Sequence, residues 1–161
     1  MIKSFFLAIT ILANVLCISA LYASEQDELT TPIFKALSKG DTAVAVNHIF
    51  PKGSEIRGWV GEDNIAQLKS NLHAKLVVLG KYYDYKLLSK SDIQGIYEHA
   101  VYIARYDRQP VLFKFDFYNA GKGWRIQNFT MDMDLDVVLE KALEVEIGVM
   151  AIPRVREKGN K

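Results

Sequence analysis

The stretch from Gln109 to Asp132, QPVLFKFDFYNAGKGWRIQNFTMD, constrains the chain most. Val111, Phe113, Phe115 and Phe117 alternate with Leu112, Lys114, Asp116 and Tyr118. That period of two describes a β-strand with one heavily apolar face. Asn119-Ala120-Gly121-Lys122-Gly123 supplies the positive-φ positions that a reversal needs. Trp124 and Ile126 restart the alternation, and Phe129 and Met131 fall on the opposite phase, so the return strand should carry a β-bulge near Asn128. A hairpin with a wide apolar face must be covered by something, and the preceding residues supply the cover.

Upstream, the chain reads as helices. Thr31 can cap a helix with Pro32 at its first position and Ile33, Phe34 and Leu37 on its apolar side, after a disordered lead-in at Ser24 to Glu28. Gly40 ends it, and Asp41 caps a second helix from Thr42 to Phe50. Pro51 to Gly61 reads as a loop, with Trp59 as an anchor into the core. The longest helix runs from Glu62 to Leu79, capped by Asp63 or Asn64 and ended by Gly80, with Ile65, Leu68, Leu72, Leu76 and Leu79 on one stripe. The period then changes to two. Lys81 to Ser89 is a strand, Lys90 to Gly95 a polar connection, and Ile96 to Asp107 a longer strand. The middle of that strand is apolar on both phases, as in a central strand covered on both faces. Asp134 or Asp136 starts a last helix through Val137, Val138, Leu139, Ala142 and Leu143, and a basic tail with Pro153 follows Gly148. Helices followed by antiparallel strands make an α+β domain, with N-terminal helices packed on a strongly curved four-stranded sheet and a short C-terminal helix.

The first residues read as an export signal. Lys3 is followed by an apolar run from Phe5 to Ile18, then by the small residues Ser19, Ala20 and Ala23 before a polar stretch. Cleavage after Ala23 is the first expectation, and after Ala20 the second. The chain then divides into a signal peptide (1–23), a domain (24–133) and a C-terminal helix with a flexible basic tail (134–161), in the periplasm or an equivalent secreted space. An uncleaved anchor is the alternative, because the apolar stretch can be extended to about 18 residues, the lower limit for spanning a bilayer. Membrane association is implied only in that case. Removing residues 1–23 takes away Lys3 and no acid, so 20 basic and 19 acidic side chains in the whole chain become equal numbers. No basic excess points to nucleic acid. The single cysteine, Cys17, lies in the leader, so the mature chain has no disulfide, thiol nucleophile or cysteine-ligated metal.

ALSKGDTAVAVNHIF, from Ala36 to Phe50, resembles the two-helix opening of the nuclear transport factor 2-like superfamily, where a Gly-Asp turn joins the first helices. GWRIQNFTMD, from Gly123 to Asp132, is similar to that superfamily's closing strand, with a Trp after the turn. The resemblance spans about residues 30 to 133. It implies a cone in which the curved sheet wraps the long helix and leaves a pocket at its open end. The superfamily includes isomerases, dehydratases, epoxide hydrolases, polyketide cyclases and many non-enzymatic binding domains, so the resemblance implies no particular reaction.

Candidate site residues follow from the strands. Tyr97, His99, Val101, Ile103 and Arg105 share one phase, and if that face lines the cone, Tyr97, His99 and Arg105 are its polar groups. The competing reading leaves His99 and Arg105 in solvent near the strand ends. Trp124, at the start of the return strand, and the many tyrosines suit a ligand cavity or an interface. Asp116 stands on the phase opposite the phenylalanines and should face away from the cone, pairing with Lys114 or Arg125, and Asp84 should also be exposed. Superfamily isomerases and dehydratases place a carboxylate base in the pocket, but no pair of positions here matches that dyad, so no catalytic residue is assigned. His48, His73 and His99 lack ligand spacing, so neither a metal nor another cofactor is expected. There is no nucleophile motif, phosphate loop or dinucleotide fingerprint. The reading is an exported, non-enzymatic module that binds a small hydrophobic ligand or a protein partner; the alternative is an acid/base enzyme using the same cavity. A homodimer through the outer sheet face is the simplest cover for that face, with the last helix folding back as its competitor.

Overall fold

The computed structural model describes residues 24–134 and 136–140; the expected leader and the basic tail lie outside these residues. Four helices, α1 (Glu25–Leu37), α2 (Thr42–Ile49), α3 (Glu55–Val60) and α4 (Glu62–Val77), precede four strands, β1 (Tyr82–Ile93), β2 (Tyr97–Tyr106), β3 (Val111–Asn119) and β4 (Trp124–Asp132). A helical turn follows at 136–140. The strands form one antiparallel sheet in the order β1-β2-β3-β4, curled but not closed. The fold is therefore α+β, as the order of periodicities implied.

Residues 24–28 are not a lead-in. Ser24 and Asp27 form a reciprocal capping box: Ser24 Oγ accepts from the Asp27 amide at 3.2 Å, and Asp27 Oδ2 accepts from the Ser24 amide at 3.0 Å. Glu25, Asp27 and Glu28 load the first turn with negative charge, which suits a helix N-terminus, and Pro32 lies inside α1 rather than at its start. Asp41 caps α2 as expected, its Oδ1 accepting from the Val44 amide at 2.9 Å.

The expected loop at 51–61 contains α3, capped by Ser54. Arg57 explains why so short a helix holds its place. Its buried guanidinium donates to both Glu62 oxygens (2.5 and 2.7 Å), to Asn47 Oδ1 (3.1 Å) and to the Phe50 carbonyl (2.8 Å). Trp59 is 64% exposed and does not anchor the core; Ile56 and Arg57 take the inward face. Helix α4 starts at Gly61 with no side-chain cap, and Asn64 Nδ2 donates to the Val60 carbonyl instead of capping.

Strand β1 runs through Ile93, taking in most of the expected polar connection. Lys90 looks like loop composition in isolation, but its Nζ reaches Glu98 Oε2 on β2 at 2.8 Å. The reversal is confined to Gln94–Ile96, where Gln94 (φ 52) and Gly95 (φ 67) turn left-handed. The bulge expected near Asn128 is present: Asp116 pairs with Asn128 and Phe117 with Ile126, leaving Gln127 extra.

Phe113, Phe115 and Phe117 face the helices and are fully buried, as the alternation required. The helix lying across the middle of the sheet is α1, not α4. Phe34 stacks on Tyr85 at 3.8 Å between ring centroids and 10° between planes, and meets Tyr102, Phe113 and Phe115 at 5.3, 5.6 and 6.1 Å. Helix α4 adds Ile65, Leu72 and Leu76 to the same core. On the opposite sheet face Val101 and Leu112 form a smaller cluster with Val138, so the last helix does fold back over part of that face.

Phe34→Ala should therefore cost about 3–5 kcal/mol, the size of a buried aromatic truncation. Trp59→Ala should change stability by less than about 0.5 kcal/mol, as at an exposed position. Urea unfolding checks both, and similar losses at the two positions would mean that the core is placed wrongly.

Candidate functional site

The concave side of the sheet is filled by rings, so open space lies at its ends. One cleft, about 340 Å³, sits where β1 begins and β2 ends. Leu37, Ser38, Gly40 and Thr42 border it on one side, His73, Leu76 and Val77 of α4 on another, and Gly80, Lys81, Tyr82 and Tyr106 form its sheet side. Asp107 holds the two strand ends beside it together. Its Oδ2 accepts from the Lys81 amide at 2.7 Å and its Oδ1 from the Tyr83 hydroxyl at 2.5 Å, fastening the start of β1 to the end of β2. Gly80 is required at this join: its φ is +81°, and a Cβ would lie 2.7 Å from Asp107 Oδ2. Tyr82 and Tyr106 meet edge to face at 5.3 Å. The Tyr106 hydroxyl is buried and has no hydrogen-bond partner. Burial pushes both phenols far above their ordinary pKa, so they stay neutral donors.

A second cleft, about 400 Å³, lies beside the β3–β4 turn. Leu29, Ile49, Ile56, Trp124 and Ile126 make it apolar, and His48, Glu55, Lys122 and Arg125 add charge or polarity. Trp124 is thus the one ligand-binding residue expected from sequence that borders a cleft.

Tyr97, His99 and Arg105 do not line the cone. Ala100, Tyr102, Ala104 and Tyr106 are the β2 residues in the core against the helices, which puts Tyr97, His99, Val101, Ile103 and Arg105 on the outer face. Both phases of β2 are apolar in the middle, so periodicity could not choose between them. Pairing with β3 does: Ala100 and Tyr102 lie opposite Phe115 and Phe113, and the alanines leave room for the rings. Arg105 makes a bidentate pair with Asp84 at 2.9 and 2.6 Å in solvent.

The structure brings Tyr97 and His99 together with Asp116. Asp116 faces outward as expected, but its partners differ from those expected. His99 Nδ1 lies 2.6 Å from Asp116 Oδ1, and Asn128 Nδ2 donates to Asp116 Oδ2 at 3.0 Å. Lys114 is taken by Asp132 at 3.1 Å, and Arg125 lies 3.6 Å from Glu55. Partial burial alone would raise the Asp116 pKa; hydrogen bonds from His99 and Asn128 outweigh it and hold the carboxyl below its usual range. Tyr97 is pushed up, by burial first and then by the Asp116 charge.

Sequence reading places Tyr106 among the tyrosines suited to a cavity or an interface, without singling it out, and passes over Glu98. Glu98 is 3% exposed on the helix-facing side; Lys90 meets one oxygen, and the other has no partner. Its place between Tyr97 and His99 on the strand was the available signal, since the outer phase of one pair fixes the inner phase of the residue between. Among the described residues no group of three or more His, Cys, Asp or Glu side chains could hold a metal, and no helix is long and apolar enough to cross a membrane.

A depressed carboxylate pKa contributes stability above its unfolded value, near 3.9, and that contribution is lost as pH falls through the folded value. Between pH 7 and pH 3 the wild type should therefore lose more stability than Asp116→Asn, which has no charge to titrate there. Urea midpoints across that range measure the difference, and parallel pH curves would remove Asp116 from the acid response.

No protein-family model and no curated protein matches the chain. Among solved structures, the chain is similar to a provisionally assigned NTF2-like transpeptidase from Campylobacter jejuni, at 18% identity and a TM-score of 0.48, covering 64% of this chain and 97% of that one. At this distance the neighbour brings no family, substrate or reaction to this chain.

Proposed function

We propose that this chain is an exported, non-enzymatic binding module that takes a small, mostly apolar molecule into the cleft between α4 and the start of β1. The observation that carries this reading is Tyr106, which borders an apolar cleft and whose buried hydroxyl has no partner. A buried donor without a partner costs about 1–3 kcal/mol, which a ligand acceptor near it can recover. Leu37, Leu76, Val77 and the Tyr82 ring would cover the apolar part of the ligand, and its acceptor, a carbonyl, ether or carboxylate oxygen, would turn toward the phenols. Export is supported by the signal-like leader and by the absence of any cysteine after it.

Acid/base catalysis is the weaker reading. The cleft offers phenols that stay protonated, and the oriented His99–Asp116 pair stands outside the cone on an open face.

The test is amide NMR of the isotope-labelled protein titrated with 1-naphthoic acid, a planar apolar probe with one acceptor group. Shifts should concentrate at Leu37, Leu76, Tyr82 and Tyr106. Tyr106→Phe should weaken the probe about tenfold, as expected for one lost hydrogen bond, while leaving stability equal or higher. Shifts scattered over the surface, or an unchanged affinity in the variant, would end the proposal.

A further inference from the structure

We propose that the outer face of the sheet, at the end where β1 turns into β2 and β3 into β4, is a platform for a glycan chain. This surface lies at the opposite end of the sheet from the Tyr82–Tyr106 cleft and does not depend on it.

Register places two adjacent rows there. One crosses the strands through Ser91, His99, Asp116 and Asn128; the other through Ile93, Tyr97, Tyr118 and Arg125. The second row continues onto α3, because the Arg125 guanidinium lies 5.3 Å from the ring centre of Tyr118 and 5.3 Å from that of Trp59. Trp59 is 64% exposed and Ile93 61%. An indole left in water and stacked on a cation adds little to the fold and much to a surface meant to be covered.

The first row is held in place by one carboxylate. Asp116 takes His99 on one oxygen and Asn128 on the other. The atoms left facing outward, His99 Nε2 and Asn128 Oδ1, are thereby fixed, with the Ser91 hydroxyl beside them on the edge strand. Groups fixed before binding lose little freedom when they bind.

This combination matches the surface of a sugar ring. Pyranose C–H faces lie flat on aromatic rings, while the hydroxyls around the ring edge need alternating donors and acceptors on planar groups. Strand spacing of about 4.8 Å and a row separation of about 7 Å give the four-strand platform the footprint of a short oligosaccharide. A protein partner fits less well. Interface centres are depleted in charge, and here a carboxylate, an imidazole and a guanidinium occupy the middle.

The experiment is co-sedimentation of the purified protein with insoluble chitin, cellulose and peptidoglycan sacculi, scored as the bound fraction against protein concentration. The wild type should be retained by at least one polymer. Trp59→Ala and Tyr118→Ala should each weaken that retention about tenfold, the size expected for losing a ring contact. Arg105→Gln, on the same face at its far end, should leave it unchanged. Equal thermal midpoints for Trp59→Ala and wild type would show that the loss is not unfolding. Retention by none of the three polymers, or equal retention of wild type and Trp59→Ala, would overturn the proposal. So would a wild-type dimer in sedimentation equilibrium that Trp59→Ala converts to monomer, because a second copy would then own the surface.

Discussion

Phe34 on Tyr85 is the contact around which the domain is arranged. A curved sheet presents a concave side that a helix backbone cannot reach along its whole length, and the gap must be filled by side chains or left to solvent. Here one residue of α1 closes it, touching rings from β1, β2 and β3 at once. With Phe34 in place, β2 can carry alanines at 100 and 104 without leaving voids, and β3 can carry three phenylalanines without clashing. The same contact explains why the clefts lie at the ends of the sheet. Both lie where the ring stack stops, near the Tyr82–Tyr106 pair on one side and near Trp124 and Ile126 on the other.

The parts of this arrangement that could be read from sequence are those in which one strand faces water on one side. The β3–β4 hairpin, its turn and its bulge followed from alternation, because Lys114 and Asp116 mark the outer phase unambiguously. Strand β2 gave no such mark. Its outer phase holds Val101 and Ile103 under Val138, and its inner phase holds small alanines, so the two faces look alike until the partner strand is known. Periodicity therefore leaves Tyr97, His99 and Arg105 open to either side of the sheet, and pairing with β3 puts them on the outer one. Other differences had local signals. Ser24 three residues before Asp27 is a capping-box spacing, and Ser54 followed by Glu55 opens α3 in a segment whose glycines suggested a loop. The Lys90–Glu98 pair and the Arg57 network join residues that composition alone treats as loop and surface, and only pairing brings them together.

Polar chemistry in this domain is divided between the two faces in different ways. The helix-facing side keeps neutral phenols and one buried carboxylate, and among the described residues the Tyr106 hydroxyl and one Glu98 oxygen there have no partner. The outer side gathers its ionisable groups into pairs: Asp84 with Arg105, His99 with Asp116, Lys114 with Asp132. An unpartnered atom in a dry wall leaves a vacancy for an acceptor or donor from outside, whereas a paired charge in water mainly sets the position of its neighbours.

Arg57 has a role that extends beyond α3. Its guanidinium ties the end of α2 to the first turn of α4, and α3 is strung between them. Trp59, two residues further on, has no packing of its own to fix it in the core, so the indole stands where this clamp leaves it. The position of the most exposed ring in the described chain is thus governed from inside the helical layer. A disturbance at the junction of α2 and α4 would be transmitted to the far surface as a shift of that ring, through six residues of helix and no loop.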